Sequence, residues 1–136
     1  MIEFIIYGEP IAKGRPRVTK KGITYTPDKT EVAEQSFQWQ AIQHRPDKLL
    51  EGPLSLRVVF YRSIPASMSK KKSGLANCGW IRPTTKPDLD NCLKLVKDAM
   101  NKIFYHDDSQ ICSVVAEKYY SGTPRIEVTI GKIEIA

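Results

Sequence analysis

Hydrophobic and polar positions change period several times along the chain, and each change marks an element. Residues 2–7 (IEFIIY) form a short apolar run closed by Gly8 and Pro10, which predicts a strand. Residues 8–29 carry Gly14, Pro16, Gly22 and Pro27 among basic side chains, the pattern of an extended loop or loose hairpin. From about Thr30 the period becomes helical. Thr30 can cap, Glu31 and Glu34 suit the positive N-terminal end, and Val32, Phe37 and Ile42 are candidates for the buried face; Pro46 closes the helix. Residues 53–62 (PLSLRVVFYR) are β-branched and alternating, hence a strand. Residues 63–87, broken by Pro65, Gly74, Gly79, Pro83 and Pro87, read as a second loop. The clearest helix covers 88–104, where Leu89, Leu93, Val96, Met100 and Ile103 recur at helical spacing with no Gly or Pro between them. After a turn at 105–109, residues 110–120 and 125–135 read as strands, and the intervening SGTP predicts a hairpin.

The order β-α-β-α-β-β defines a single α+β domain over 1–136, with helices packed on one small mixed or antiparallel sheet. With 136 residues, 41% of them hydrophobic, the chain can build one core and is too short for two ordinary domains. No apolar run approaches the roughly 20 residues of a membrane span. The N-terminus lacks a basic n-region and a small-residue cleavage site, so a cytoplasmic location and no membrane partner are expected. Three cysteines at spacings without a CxxC pattern argue against a disulfide framework or zinc knuckle, and Cys92 and Cys112 are expected as small core residues. Two histidines do not make a His-rich zinc site.

Charge adds a partner class. The net charge is +6, and two segments hold twelve of the 21 basic residues. Lys13, Arg15, Arg17, Lys20, Lys21 and Lys29 fall in one, opposed only by Asp28. Arg62, Lys70, Lys71, Lys72, Arg82 and Lys86 fall in the other, where no acidic residue intervenes before Pro87. Clustered positive charge on loops is the footprint of a phosphate-backbone partner, although basic loops also serve solubility. Lys13, Arg15 and Arg17, together with Lys70, Lys71, Lys72, Arg82 and Lys86, are the candidate contacts to a nucleic-acid phosphate backbone.

Within this basic chain the informative acidic residues are the close aspartate pairs in KPDLDN at 86–91 and YHDDSQ at 105–110. Pro87 starts the helix, which puts Asp88 at its N-cap and Asp90 near its first turn, so capping and dipole complementarity are sufficient reasons for both. Asp107 and Asp108 lie just past the end of the same helix, and about seven strand residues would retrace its length. Gathering Asp108 with Asp88 and Asp90 further requires the helix to cross the sheet, or a neighbouring element to bridge. Three carboxylates in one place repel one another unless a divalent cation sits among them. Oxygen ligands select Mg²⁺, with Mn²⁺ as its substitute, and such ions suit phosphodiester cleavage. Lys94 stands one helical turn from Asp90, where it can stabilise a developing negative charge, orient the attacking water or form an ordinary surface pair. His106 beside the aspartates reads either as a ligand or base, or as an exposed turn residue without such a role.

The combination D-L-D-N-x-x-K, residues 88–94, and D-D-x-Q, residues 107–110, resembles the RusA family of Holliday-junction resolvases. The resemblance implies a small homodimeric endonuclease, often of phage or prophage origin. Such an enzyme nicks four-way DNA junctions symmetrically in recombination and repair, using Mg²⁺ or Mn²⁺. Carried over, Asp88, Asp90 and Asp108 match the essential carboxylates that would hold the metal, Lys94 matches the catalytic lysine, and Asp107 matches the neighbouring acidic position, a further candidate ligand. A two-fold junction also gives a reason for a two-fold dimer. The opening GEPIAKGRPR and the lack of a continuous arginine run before Asp88 depart from the family pattern, which bears on DNA sequence preference more than on chemistry. A nuclease for other branched or linear DNA, and a catalytically silent DNA-binding module, are the competing readings.

Overall fold

A computed structural model of the chain describes residues 1–12, 17–18, 24–25 and 28–134, with the backbone alone for 17, 18, 24, 25, 28 and 29. The element order begins with β1 (Ile2–Tyr7), a minimal antiparallel pair of β2 (Arg17–Val18) and β3 (Thr24–Tyr25), and α1 (Asp28–Ala41). It continues with β4 (Leu54–Ser63), α2 (Lys70–Asn77), α3 (Leu89–Met100), β5 (Ile111–Ser121) and β6 (Arg125–Lys132). The expected β-α-β-α-β-β succession is present, with the small pair and α2 as additions. Lys13 and Arg15 lie outside the described residues, and Arg17 is described only as backbone in β2.

Four strands form one mixed sheet in the order β1-β6-β4-β5. β4 takes a central place because it is apolar on both sides. Leu54, Leu56, Val58 and Phe60 are buried on one face, and Val59 is buried on the other. The first face receives the helices: Phe37 and Ala41 from α1, and Cys92, Leu95, Val96, Ala99 and Met100 from α3, join Phe4, Ile6, Ile126, Val128 and Ile130 in one core. β4 and β5 run parallel, which requires a crossover, and α3 supplies it on the covered face.

That pairing overturns the expected terminal hairpin. β5 and β6 are not neighbours; β6 pairs antiparallel with β4 and β1, and the SGTP turn carries the chain past β4. Local spacing shows a turn but not which strand fills the gap. Half-exposed β5, with Val114 and Val115 both exposed although they lie on opposite faces, suits an edge, whereas β4 does not.

Other expectations shift in detail. α1 begins at Asp28, so Thr30 is a buried first-turn residue and not a cap. The buried stripe runs through Thr30, Phe37 and Ala41, which leaves Val32 (65% exposed) and Ile42 outside it, because five residues of helix turn Val32 about 140° away from Phe37. α3 stops at Met100, where Asn101 turns extended and Lys102 adopts a positive φ of 66°, so Ile103 packs from a turn. The stretch 63–87 is not all loop: Ser69 caps α2, accepting from the Lys72 N–H at 3.2 Å, and Gly79 at φ 82° follows its end. Cys92 is buried as expected, whereas Cys112 is exposed on the edge strand. Among the described residues no helix is long and apolar enough to cross a membrane.

Candidate active site

Asp88 and Asp90 stand at the start of α3. Asp88 occupies the N-cap position with extended backbone, φ −66° and ψ 142°, but its carboxylate accepts no capping bond. Its Oδ2 has the Asn91 amide 3.5 Å away, and its carbonyl accepts from the Cys92 N–H at 3.0 Å. Asp90 Oδ1 accepts from the Asn91 N–H at 3.1 Å. Both carboxylates are exposed, as is Lys94 one turn on. The capping explanation for Asp88 therefore does not account for its side chain, which points no hydrogen bond at the helix end it could close.

Asp107 does cap. Its Oδ2 accepts from the Ser109 N–H at 3.1 Å over the 3₁₀ turn Asp108–Gln110, and hydrogen bonding from the Ser109 side chain first, then from its backbone, holds the carboxyl below the usual carboxylate range. A lowered folded-state pKa means this contribution is present above the ordinary carboxylate value and lost as pH falls through the lowered one. Gln110 completes the box. Its Oε1 accepts from the N–H groups of His106 (2.8 Å) and Asp107 (3.1 Å), while its Nε2 donates to the carbonyls of Leu50 (2.9 Å) and Gly52 (3.1 Å). The D-D-x-Q half of the motif is thus a structural lock between the 106–110 turn and the segment before β4. Gln110→Ala is expected to cost about 2 kcal/mol of stability, since net hydrogen bonds are worth about 1 kcal/mol each and some regain water. Urea denaturation checks it, and a loss below about 0.5 kcal/mol would refute the lock.

The structure brings Asp88 and Asp90 together and keeps Asp107 and Asp108 apart from them. Twelve residues of α3 intervene, a rise of roughly 18 Å. The electrostatic neighbourhoods agree: Cys92 feels Asp88, Asp90, Lys118 and Arg62, whereas Tyr105 feels Asp108, Asp98 and Asp107. Among the described residues no three His, Cys, Asp or Glu side chains converge as a metal cluster. Burial pushes the Cys92 thiol up to about 11, so it stays protonated and is neither ligand nor nucleophile at neutral pH. His106 is exposed in the turn, 3.8 Å from Glu51.

The approach to Asp88 wraps the free edge of β5. On the uncovered face a Cβ at Gly79 would meet the Tyr119 ring at 3.4 Å, and the Arg82 guanidinium lies 3.8 Å from the Tyr119 ring centroid and 3.8 Å from Glu117. Arg82 Nε donates to the edge carbonyl of Lys118 at 2.7 Å. On the helix face Lys118 Nζ donates to the carbonyls of Thr85 (2.9 Å) and Pro87 (3.0 Å), and Arg62 donates to Thr85 Oγ1 (3.0 Å). Arg82, expected on DNA, makes these contacts with β5 while its side chain stays 43% exposed. Lys70, Lys71 and Lys72 are exposed in the first turn of α2, and Lys86 is exposed just before Pro87. Sequence reasoning missed Lys118 and the bracing role of Arg62. The available signal was a lysine at an inward position of β5, opposite Phe60.

Fold and site together define a small mixed-sheet α+β protein that presents a carboxylate pair at a helix start, directly after a basic segment, 62–87, with no acidic residue of its own. Comparison gives the family: the chain matches the model of endodeoxyribonuclease RusA over residues 7–131 and belongs to the RusA family. It is 31% identical over 135 residues to a crossover junction endodeoxyribonuclease rusA of Lactococcus phage r1t, covering 96% of each chain. It is also 45% identical over 137 residues to the uncharacterized protein YqaN of Bacillus subtilis (strain 168), covering 97% of this chain and 96% of that one.

Proposed function

We propose that this chain is a divalent-metal-dependent endonuclease that nicks four-way DNA junctions symmetrically as a homodimer, in recombination and repair. The observation that carries the reading is the Asp88 carboxylate, placed at a helix N-cap yet not capping, beside the exposed Asp90.

The donor set fits the ion. Two exposed carboxylates with no thiolate or imidazole beside them suit Mg²⁺, or Mn²⁺ in its place, which keeps several waters and takes one or two carboxylates plus phosphate oxygens. Asp88 and Asp90 would hold it, and when bound it would supply Lewis-acid polarisation of the phosphate and a lowered pKa of bound water. Lys94, one turn from Asp90, is placed to offset negative charge developing on the phosphorus oxygens. The basic strip binds backbone phosphates through Lys70, Lys71, Lys72 and Lys86, joined by Lys13, Arg15 and Arg17 from the N-terminal segment. Three lysines in the first turn of α2 oppose its dipole, a local cost that a bound phosphate removes. Asp108, a helix length from the pair, would contribute to a metal site only from a second subunit, and a two-fold dimer matches the junction's symmetry.

The test compares a synthetic four-way junction with a linear duplex of the same arms, in Mg²⁺ and then in Mn²⁺. Paired, metal-dependent nicks confined to the junction are the expected result. Equal cleavage of the duplex would replace junction resolution with a general nuclease. Tight junction binding without cleavage in either metal would leave a DNA-binding module.

A further inference from the structure

We infer that Lys118 is a positioning residue: its ammonium group, acting through the backbone of residues 85–87, sets the geometry in which Asp88 and Asp90 meet a divalent cation. The inference rests on the proposed metal-binding role of those two carboxylates.

Lys118 occupies an inward position on β5, paired with Phe60 of β4, where the strand period calls for an apolar side chain. A lysine in such a place is costly unless its charge is hydrogen-bonded. Its Nζ donates at 2.9 and 3.0 Å to two carbonyls of one short segment, Thr85 and Pro87. From the adjacent strand Arg62 grips the same segment through Thr85 Oγ1 at 3.0 Å. Two neighbouring strands of the sheet therefore hold one three-residue stretch, and Asp88 is the next residue.

The consequence lies in what Asp88 does not do. An aspartate at an N-cap ordinarily turns its carboxylate onto the N–H groups of the first turn. Here the main chain entering α3 is held by Lys118 and Arg62, and the Asp88 side chain makes no capping bond. Arg82, which donates to the Lys118 carbonyl at 2.7 Å, fixes the strand on which the ammonium rides. The bland alternative is that Lys118 only covers an edge. That role would leave metal affinity untouched.

Lys118→Met keeps the aliphatic stem and removes the donor. Its Mn²⁺ affinity, read by titration under electron paramagnetic resonance, is expected to fall about tenfold or more, the range seen when a group supporting a metal ligand is lost. Amide exchange in residues 85–91 of the metal-free protein should rise. Cleavage should lose kcat while KM for the junction holds within about threefold, since the contacts to DNA are not its own. Wild-type Mn²⁺ affinity and exchange in a folded Lys118→Met protein overturn the inference. Should that variant not fold, Lys118→Gln, which retains one shorter donor, takes its place under the same criterion. Asp90→Asn is measured in parallel. Wild-type Mn²⁺ affinity in Asp90→Asn would bring down the carboxylate reading itself, whereas a loss there with none at Lys118 defeats the brace alone.

Discussion

Asp90→Asn is expected to lower junction cleavage at least ~10³-fold, a loss of about 4 kcal/mol of transition-state stabilisation, while leaving fold and DNA binding in place. The substitution removes a full negative charge from an oxygen donor and changes the shape of the side chain little. An asparagine oxygen still accepts the Asn91 N–H bond that Asp90 makes at 3.1 Å. What the helix loses is the favourable charge at its N-terminus, worth about 0.3–1 kcal/mol at an exposed site. Junction affinity should stay level or tighten, because one anionic group near the phosphates has gone. Single-turnover cleavage, mobility-shift titration in Ca²⁺ or without metal, and thermal melting separate the three quantities. Cleavage within tenfold of wild type would remove Asp90 from the metal site. Weakened binding in step with cleavage would make it a recognition residue instead.

The second large effect is on stability. Phe60→Ala should cost about 3–5 kcal/mol, the range for deleting a buried aromatic side chain, and so a large share of the roughly 5–15 kcal/mol that holds a domain of this kind together. Phe60 is 1% exposed on β4, which stands between an antiparallel and a parallel neighbour, so the cavity opens where the sheet has least freedom to close it. Val114→Ala on β5 is the contrast. Val114 is 41% exposed on the edge strand, and its truncation should cost under about 1 kcal/mol. Urea unfolding of the two variants at constant slope reads the difference directly. Comparable losses at both positions would contradict the order β1-β6-β4-β5, in which β4 is interior and β5 is not.

Much of this was legible in the chain. The amphipathic period that marks α3, the alternation of β4 and the mostly apolar run of β1 are local, and each produced the element it promised. Where local reading failed, the deciding partner was distant in sequence. Val32 and Ile42 look as apolar as Phe37, yet the side of α1 that is buried depends on where α3 lies, and that side runs through Phe37 and Ala41. The SGTP turn promised a hairpin because two strand-like runs flank it. A hairpin also needs the space between those strands to be empty, and β4 occupies it. α2 was hidden because Gly74 and the flanking prolines outweighed Ser69, whose cap is a single side-chain bond. In the site, the spacing of Asp88, Asp90 and Lys94 placed them on one helix start. The roles of Asp107 and Gln110 needed the carbonyls of Leu50 and Gly52, nearly 60 residues earlier in the chain.

By itself, the sequence determined the α+β class, the helix start that carries the carboxylate pair, and the basic strip leading to it, because periodicity, capping position and charge spacing are properties of neighbours along the chain. Tertiary structure alone decided that β4 would separate β5 from β6, that Asp108 would lie a helix length from Asp88, and that Lys118 would reach under Pro87. Each of those depends on which surfaces compete to be buried against the most apolar strand, and that competition is settled between segments that meet only when the sheet closes.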